Sequence, residues 1–134
     1  MKFYKYSGSG NDFIFLDNFT QEAMLDVSLI PAWCERRAGV GADGVILISE
    51  SKQYDFKLQI FNADGSEAEM CGNASRCSIH FAKNILGLGL DKYEFETMNG
   101  VYSGELVGAS EVKVKMTELY DVGAFDISDF SAKN

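Results

Sequence analysis

Hydrophobic and polar positions alternate differently in different parts of the chain, and those differences outline its elements. Phe56, Leu58 and Ile60 alternate with Lys57 and Gln59, the two-residue period of a half-buried strand. Residues 45–48, Val-Ile-Leu-Ile, form a continuous apolar strand. Short strands are expected over residues 2–6 and 13–16, flanking the glycine-rich turn Ser7-Gly8-Ser9-Gly10-Asn11-Asp12. Three more are expected over residues 93–97, 101–107 and 111–116, the first two joined by Asn99-Gly100, a strong hairpin signal.

Two segments carry helical spacing instead. Residues 28–37 have Pro31 in the first turn and Gly39 just past the end, and Leu29, Ile30, Trp33 and Arg37 share a face expected to lie against a sheet. The second helix follows the turn Asn62-Ala63-Asp64-Gly65-Ser66 and the run Cys71-Gly72-Asn73, and lasts about four turns before Gly87. Ala74, Cys77, Ser78, Ile79, Phe81, Ala82, Ile85 and Leu86 surround it on most sides, with only Arg76, His80 and Lys83 strongly polar. A helix apolar nearly all round belongs inside a domain. Strands outnumber helices, so the expected fold class is α+β, a mixed, largely antiparallel sheet curved around a central buried helix. The domain is expected to span residues 1–117, with the weakly periodic, acidic residues 118–134 as an extension toward something absent.

Composition narrows the possible partners. The 134 residues are 46% apolar and 24% charged, with one proline, which is ordinary for a globular domain. A net charge of −8 repels phosphate backbones and anionic lipid, so neither nucleic acid nor a membrane surface is an expected partner. No apolar run approaches the ~20 residues that cross a bilayer. Residues 1–6 lack the apolar core of a secretory signal, and Cys34, Cys71 and Cys77 are odd in number. Reduced thiols in a cytoplasmic protein are therefore expected. A zinc site has little support, because there is no CxxC pair and His80 is the only histidine.

Candidate chemistry centres on Cys71, at the start of the buried helix, where the first backbone N–H groups lack intrahelical partners. Those donors and the positive end of the helix dipole bind carboxylates and favour a thiolate. Gly72 lets a ligand approach the backbone, and Asn73 adds a side-chain donor and acceptor. Taken alone, a free cysteine is more often a packing residue. Cys77 lies about 9 Å further along the helix on another side and is expected in the core, while Cys34, on the outer helix, is expected to be structural. A base role for His80 is weaker than a surface or hydrogen-bonded one. The runs 7–10 and 39–44 are glycine-rich, but neither has phosphate-loop spacing, and each reads as a tight turn.

Taken together, these segments mean more. Ser7-Gly-Ser-Gly-Asn11-Asp12-Phe13, then Gly39-Val-Gly-Ala-Asp43-Gly44, then Asn62-Ala-Asp-Gly-Ser66 followed by Met70-Cys71-Gly72-Asn73-Ala74-Ser75-Arg76 resemble, in this order, the N-terminal half of the diaminopimelate epimerase family. The resemblance runs from residue 1 to about 117. Ala74 stands where many members carry glycine, and the family's second half, with its second Cys-Gly-Thr/Ser-Gly segment, is missing from the chain.

The resemblance implies epimerisation of LL-2,6-diaminopimelate to the meso form, for lysine and peptidoglycan precursors, without pyridoxal phosphate, metal or other cofactor. Two cysteines on opposite faces of the α-carbon act as base and acid in the family, and Cys71 matches the first of them. Gly72 and Asn73 would hold the α-carboxylate, Asn11 and Asn62 match substrate-binding positions, and Arg76 reads as structural support. The implied partners are the substrate and either a C-terminal half or a second copy of the chain. Rival readings are a non-catalytic half-domain, a related racemase or isomerase of the same fold, and a thiol redox protein using Cys71 and Cys77. Helical spacing makes the last implausible.

Overall fold

The computed structural model describes residues 2–8, 10–20, 24–69, 71–98, 100–108 and 111–116. Ser9, Met70, Asn99 and the expected extension over residues 118–134 lie outside them. The strands are β1 (Lys2–Gly8), β2 (Asn11–Asn18), β3 (Gly44–Ser49), β4 (Phe56–Asn62), β5 (Glu67–Ala68), β6 (Lys92–Thr97), β7 (Gly100–Val107) and β8 (Glu111–Met116). They join in one sheet of order β1-β2-β3-β4-β6-β7-β8, with the short β5 paired to β4. The β2–β3 and β4–β6 pairs are parallel and the others antiparallel. Each parallel pair needs a crossover. The first runs through a 3₁₀ turn (Val27–Leu29) and α1 (Ile30–Cys34), the second through β5 and α2 (Gly72–Asn84).

Helix α2 packs against β1 at one edge of the sheet and against β7 and β8 at the other, so the sheet curls around it. Phe81 stacks on Phe15 and meets Tyr4 and Tyr6 edge-on, while Ile79 reaches β7. The expected α+β architecture with a central buried helix is the one observed.

Burial explains why the strands read differently in sequence. Strands β2 and β3 are covered on both faces, whereas β4 has one buried face and joins the second core only through Phe61, with Lys57 exposed. Phe13, Phe15, Ile46, Ile48, Phe56, Leu58 and Ile60 point into the core around α2, while Ile14, Leu16, Val45, Leu47 and Phe61 pack with Ile30 and Cys34 of α1. A strand buried on both faces reads as a continuous apolar run. In β6 to β8 Tyr93, Phe95, Tyr102, Gly104, Leu106, Val112 and Val114 face the core, and the intervening Lys92, Glu94, Lys113 and Lys115 are exposed, so these strands alternate.

Two expectations need correction, and one short strand was not expected. The helix expected over residues 28–37 is α-helical only from Ile30 to Cys34. Its last carbonyls are taken by the returning chain: Gly39 N donates to Glu35 O, Gly41 N to Trp33 O and Ala42 N to Cys34 O. Gly39 makes this possible, because a Cβ there would lie 2.1 Å from Ala32 O. Consequently Leu29 is exposed, Arg37 lies beyond the helix, and the buried pair is Ile30 and Cys34. In α2, Ile85 lies just past the helix and is exposed rather than buried. The pair β4–β5, two residues long on the β5 side, is too short to leave a periodic signal.

Gly104 sits where β7 meets α2. A Cβ there would fall 2.2 Å from Ile79 Cδ1 and 2.8 Å from Lys113 O. Gly104→Ala is therefore expected to cost about 1–3 kcal/mol of stability, read as a lowered urea midpoint at unchanged m-value.

Candidate active site

Strand register gathers the sequence motifs at one end of the sheet. Gly44, at the start of β3, is paired with Phe13 on one side and with Asn62, the last residue of β4, on the other. Asn11 and Asp12 open β2 beside Asp43, whose N–H donates to Asp12 O at 2.8 Å. Gly44 must lack a side chain here, since a Cβ would lie 2.4 Å from Phe61 O.

Cys71 is the N-cap of α2, with extended backbone angles, and its Sγ accepts the N–H of Ala74 at 3.4 Å. Its carbonyl accepts Ser75 N at 2.9 Å, the first bond of the helix. A sulfur in this position faces the partial positive charge of the first-turn N–H groups and the helix dipole. Cys71, Gly72 and Asn73 are all partly exposed. Gly72 is the first helical residue, with no Cβ between its backbone and a ligand.

Asn73 turns toward β2. Its Nδ2 donates to Asn11 Oδ1, and its own Oδ1 accepts from Arg76 Nη2. Asn11 Nδ2 donates to Asp43 Oδ2 at 3.1 Å. Asp43 Oδ2 also accepts Asp12 N at 3.0 Å, and Arg36 bridges the two acids, gripping both Asp12 oxygens at 2.9 Å and Asp43 Oδ1 at 3.0 Å. Lys5 Nζ lies 3.2 Å from Asp12 Oδ2. Hydrogen bonds from Arg36, then Lys5, hold the Asp12 carboxyl well below the usual carboxylate range, and the same Asp12 bonds push the Arg36 guanidinium up. Sequence reading quoted Asp12 and Asp43 within motifs without giving them a role, and it gave Lys5 and Arg36 none. Their pairing spans 24 residues or more for Arg36–Asp12 and has no local signature.

Of the sequence-derived candidates, Asn11 and Asn73 are joined directly, and Cys71 and Gly72 lie in the same first turn of α2. Asn62 is at the same sheet end, but its Nδ2 donates to Ser66 Oγ at 3.0 Å, within its own turn. Cys77 and Cys34 are buried in the two cores, and no disulfide is formed. Burial pushes the Cys77 thiol up to about 11 and raises that of Cys34. His80 is bonded through Nδ1 to the Tyr6 hydroxyl, about 13 Å along the helix from Cys71. Among the described residues no cluster of three His, Cys, Asp or Glu could hold a metal, and no helix is long and apolar enough to cross a membrane.

The curled sheet around one helix is a fold seen in a solved structure. A phenazine biosynthesis PhzC/PhzF protein of Clostridium difficile superposes with a TM-score of 0.60 at 16% identity, over 87% of this chain and 51% of that one. Sequence is more specific. The family model for diaminopimelate epimerase matches residues 3–122. The diaminopimelate epimerase of Flavobacterium psychrophilum is 38% identical over 127 residues, 94% of this chain and 49% of that protein. The one of Carboxydothermus hydrogenoformans is 39% identical over 119 residues, 87% of this chain and 43% of that protein. The chain belongs to the diaminopimelate epimerase family, and it spans about half the length of these curated relatives.

Two measurements test the site's electrostatics. Limiting alkylation near pH 8 with mass mapping should label Cys71 first, with Cys34 and Cys77 lagging by at least about tenfold; earlier labelling of Cys77 contradicts the assignment. Because the Asp12 carboxyl is depressed in the folded chain, its stabilising contribution is complete above its ordinary pKa of about 4 and fades as pH falls below it. The urea midpoint of Asp12→Asn should therefore drop less between pH 6 and pH 3 than that of the parent chain.

Proposed function

We propose that this chain forms the first half of a cofactor-independent epimerase that converts LL-2,6-diaminopimelate to the meso isomer, in the cytoplasm, with Cys71 as one of two acid/base groups. The observation that carries the reading is Cys71 at the N-cap of α2, its sulfur accepting Ala74 N–H beside the Asn73–Asn11 pair. The family's curated relatives are named for this reaction, which makes it the first activity to test.

Inverting the α-carbon means removing a proton from one face and delivering one to the other. Cys71, as thiolate, takes the α-proton. The electron pair left behind delocalises into the α-carboxylate, whose oxygens meet the N–H groups of Gly72 and Asn73 at the positive helix end. Asn11 and Asn62 hold further polar groups of the substrate. The α-proton is far less acidic than a thiol, so fixed dipoles must act in a site closed to water. Closure and the second proton donor come from a C-terminal half carrying the second cysteine, or from a second copy of the chain. The three unpaired thiols fit a reducing compartment.

The test measures α-proton exchange into diaminopimelate in D₂O, using the chain alone and combined with a family C-terminal half. Activity is expected in the combination, and Cys71→Ala should lower it by about 10²–10⁴-fold while the circular dichroism spectrum stays unchanged. Activity surviving that substitution would overturn the assignment. A combination that folds but never exchanges deuterium favours a non-catalytic half-domain.

A further inference from the structure

The hydrogen bonds behind Cys71 all run in one direction. Arg76 Nη2 donates to Asn73 Oδ1, Asn73 Nδ2 donates to Asn11 Oδ1, and Asn11 Nδ2 donates to Asp43 Oδ2 at 3.1 Å. A guanidinium can only donate and an ionised carboxylate can only accept. The two ends therefore dictate the orientation of both amides between them. Turning Asn73 over would set its NH₂ against the Arg76 guanidinium, and turning Asn11 over would set its carbonyl against the Asp43 carboxylate. Bonds linked head to tail also polarise one another.

Asp43 is itself anchored. Asp12 N donates to its Oδ2 at 3.0 Å, and Arg36, forked onto Asp12, donates to its Oδ1 at 3.0 Å. Three separate segments of the chain thus end on one row of dipoles: the start of β2, the residue before β3, and the first two turns of α2.

We propose that Asp43 and Arg76 are positioning residues, a charge pair that locks the Asn11 and Asn73 amides in one orientation for a ligand carboxylate at the start of α2. For that ligand the inference rests on the epimerase reading; for the locked amides it rests on the hydrogen bonds alone. Locked amides present their dipoles before the ligand arrives, so no reorganisation is needed when charge develops. Errors of about 1 Å in such placement can cost ~10²-fold in rate.

The side-chain amide resonances of Asn11 and Asn73, followed by ¹⁵N NMR in the ligand-free 134-residue chain, test the coupling directly. Asp43→Asn keeps the shape and removes the charge; Arg76→Gln does so at the other end. Each substitution should shift both amide pairs, including the one a bond away, and the double variant should shift them by less than the sum of the singles. A change confined to the nearest amide, or strictly additive shifts, overturns the proposal. Should either variant fail to fold, the parent chain decides. A nuclear Overhauser contact between the Asn73 and Asn11 amides, with slowed exchange of their hydrogens, supports the lock, and its absence overturns it. Titration with meso-diaminopimelate separates the two readings. If the parent chain binds, Asp43→Asn should weaken binding about tenfold, and unchanged binding removes Asp43's role toward the ligand. A parent chain that does not bind even when combined with a family C-terminal half counts against the epimerase reading, while the amide coupling stands or falls on the ligand-free spectra.

Discussion

Everything in this domain depends on α2 lying inside a sheet that contacts it from both edges. The helix touches β1 on one side and β7 and β8 on the other, and glycine marks both contacts. A Cβ at Gly8 would come within 2.8 Å of Cys77 Sγ, and one at Gly104 within 2.2 Å of Ile79 Cδ1. With backbone so close on two sides, a helix in a densely packed interior has no freedom to slide or rotate. Its N-terminus, and Cys71 with it, is held by packing six and eight residues further along the helix, at Cys77 and Ile79. The apolar core is thus part of the site's geometry even though none of its side chains does chemistry.

At the opposite pole of the problem lies charge. The chain carries a net −8, yet the end of the sheet beside Cys71 is built from matched charges: Lys5 and Arg36 on Asp12 and Asp43, with Arg76 on Asn73. Exposed ion pairs of this kind contribute little to stability one at a time. Their effect here is geometric. Arg36 ties the loop before β3 to the first residues of β2, and that link sets where Asn11 stands relative to Asn73. On an acidic protein such a cluster of cations is a local exception, and the positive end of the α2 dipole extends it.

A single domain reaches a tetrahedral carbon from one side. The proposed inversion of stereochemistry needs a second group on the far side and a barrier to water, which is consistent with the chain spanning about half the length of its curated relatives. The two buried thiols do not offer that second group. Cys77 faces β1 within the core, and its thiol is pushed up to about 11 by burial; Cys34, the last residue of α1, is buried in the second core.

Much of this was determined by the sequence itself. The strands over β3, β4 and β6 to β8 follow from apolar runs and two-residue alternation, and the buried α2 from its nearly uniform apolar surface, because burial leaves a periodic imprint that local residues carry unaided. The unusual run Cys71-Gly72-Asn73 marked the helix start and the family for the same reason: its residues are contiguous. Tertiary structure alone decided the rest. Periodicity is blind to strand direction, so the parallel β2–β3 and β4–β6 pairs were not legible. Helical spacing over residues 28–37 gave way to a chain reversal in which Gly39 approaches backbone carbonyls more closely than any other residue could. Asp43 and Arg36 read as ordinary polar residues until the β2–β3 register set them against Asn11 and Asp12, since a hydrogen bond across 32 residues exists only once the strands between have been placed.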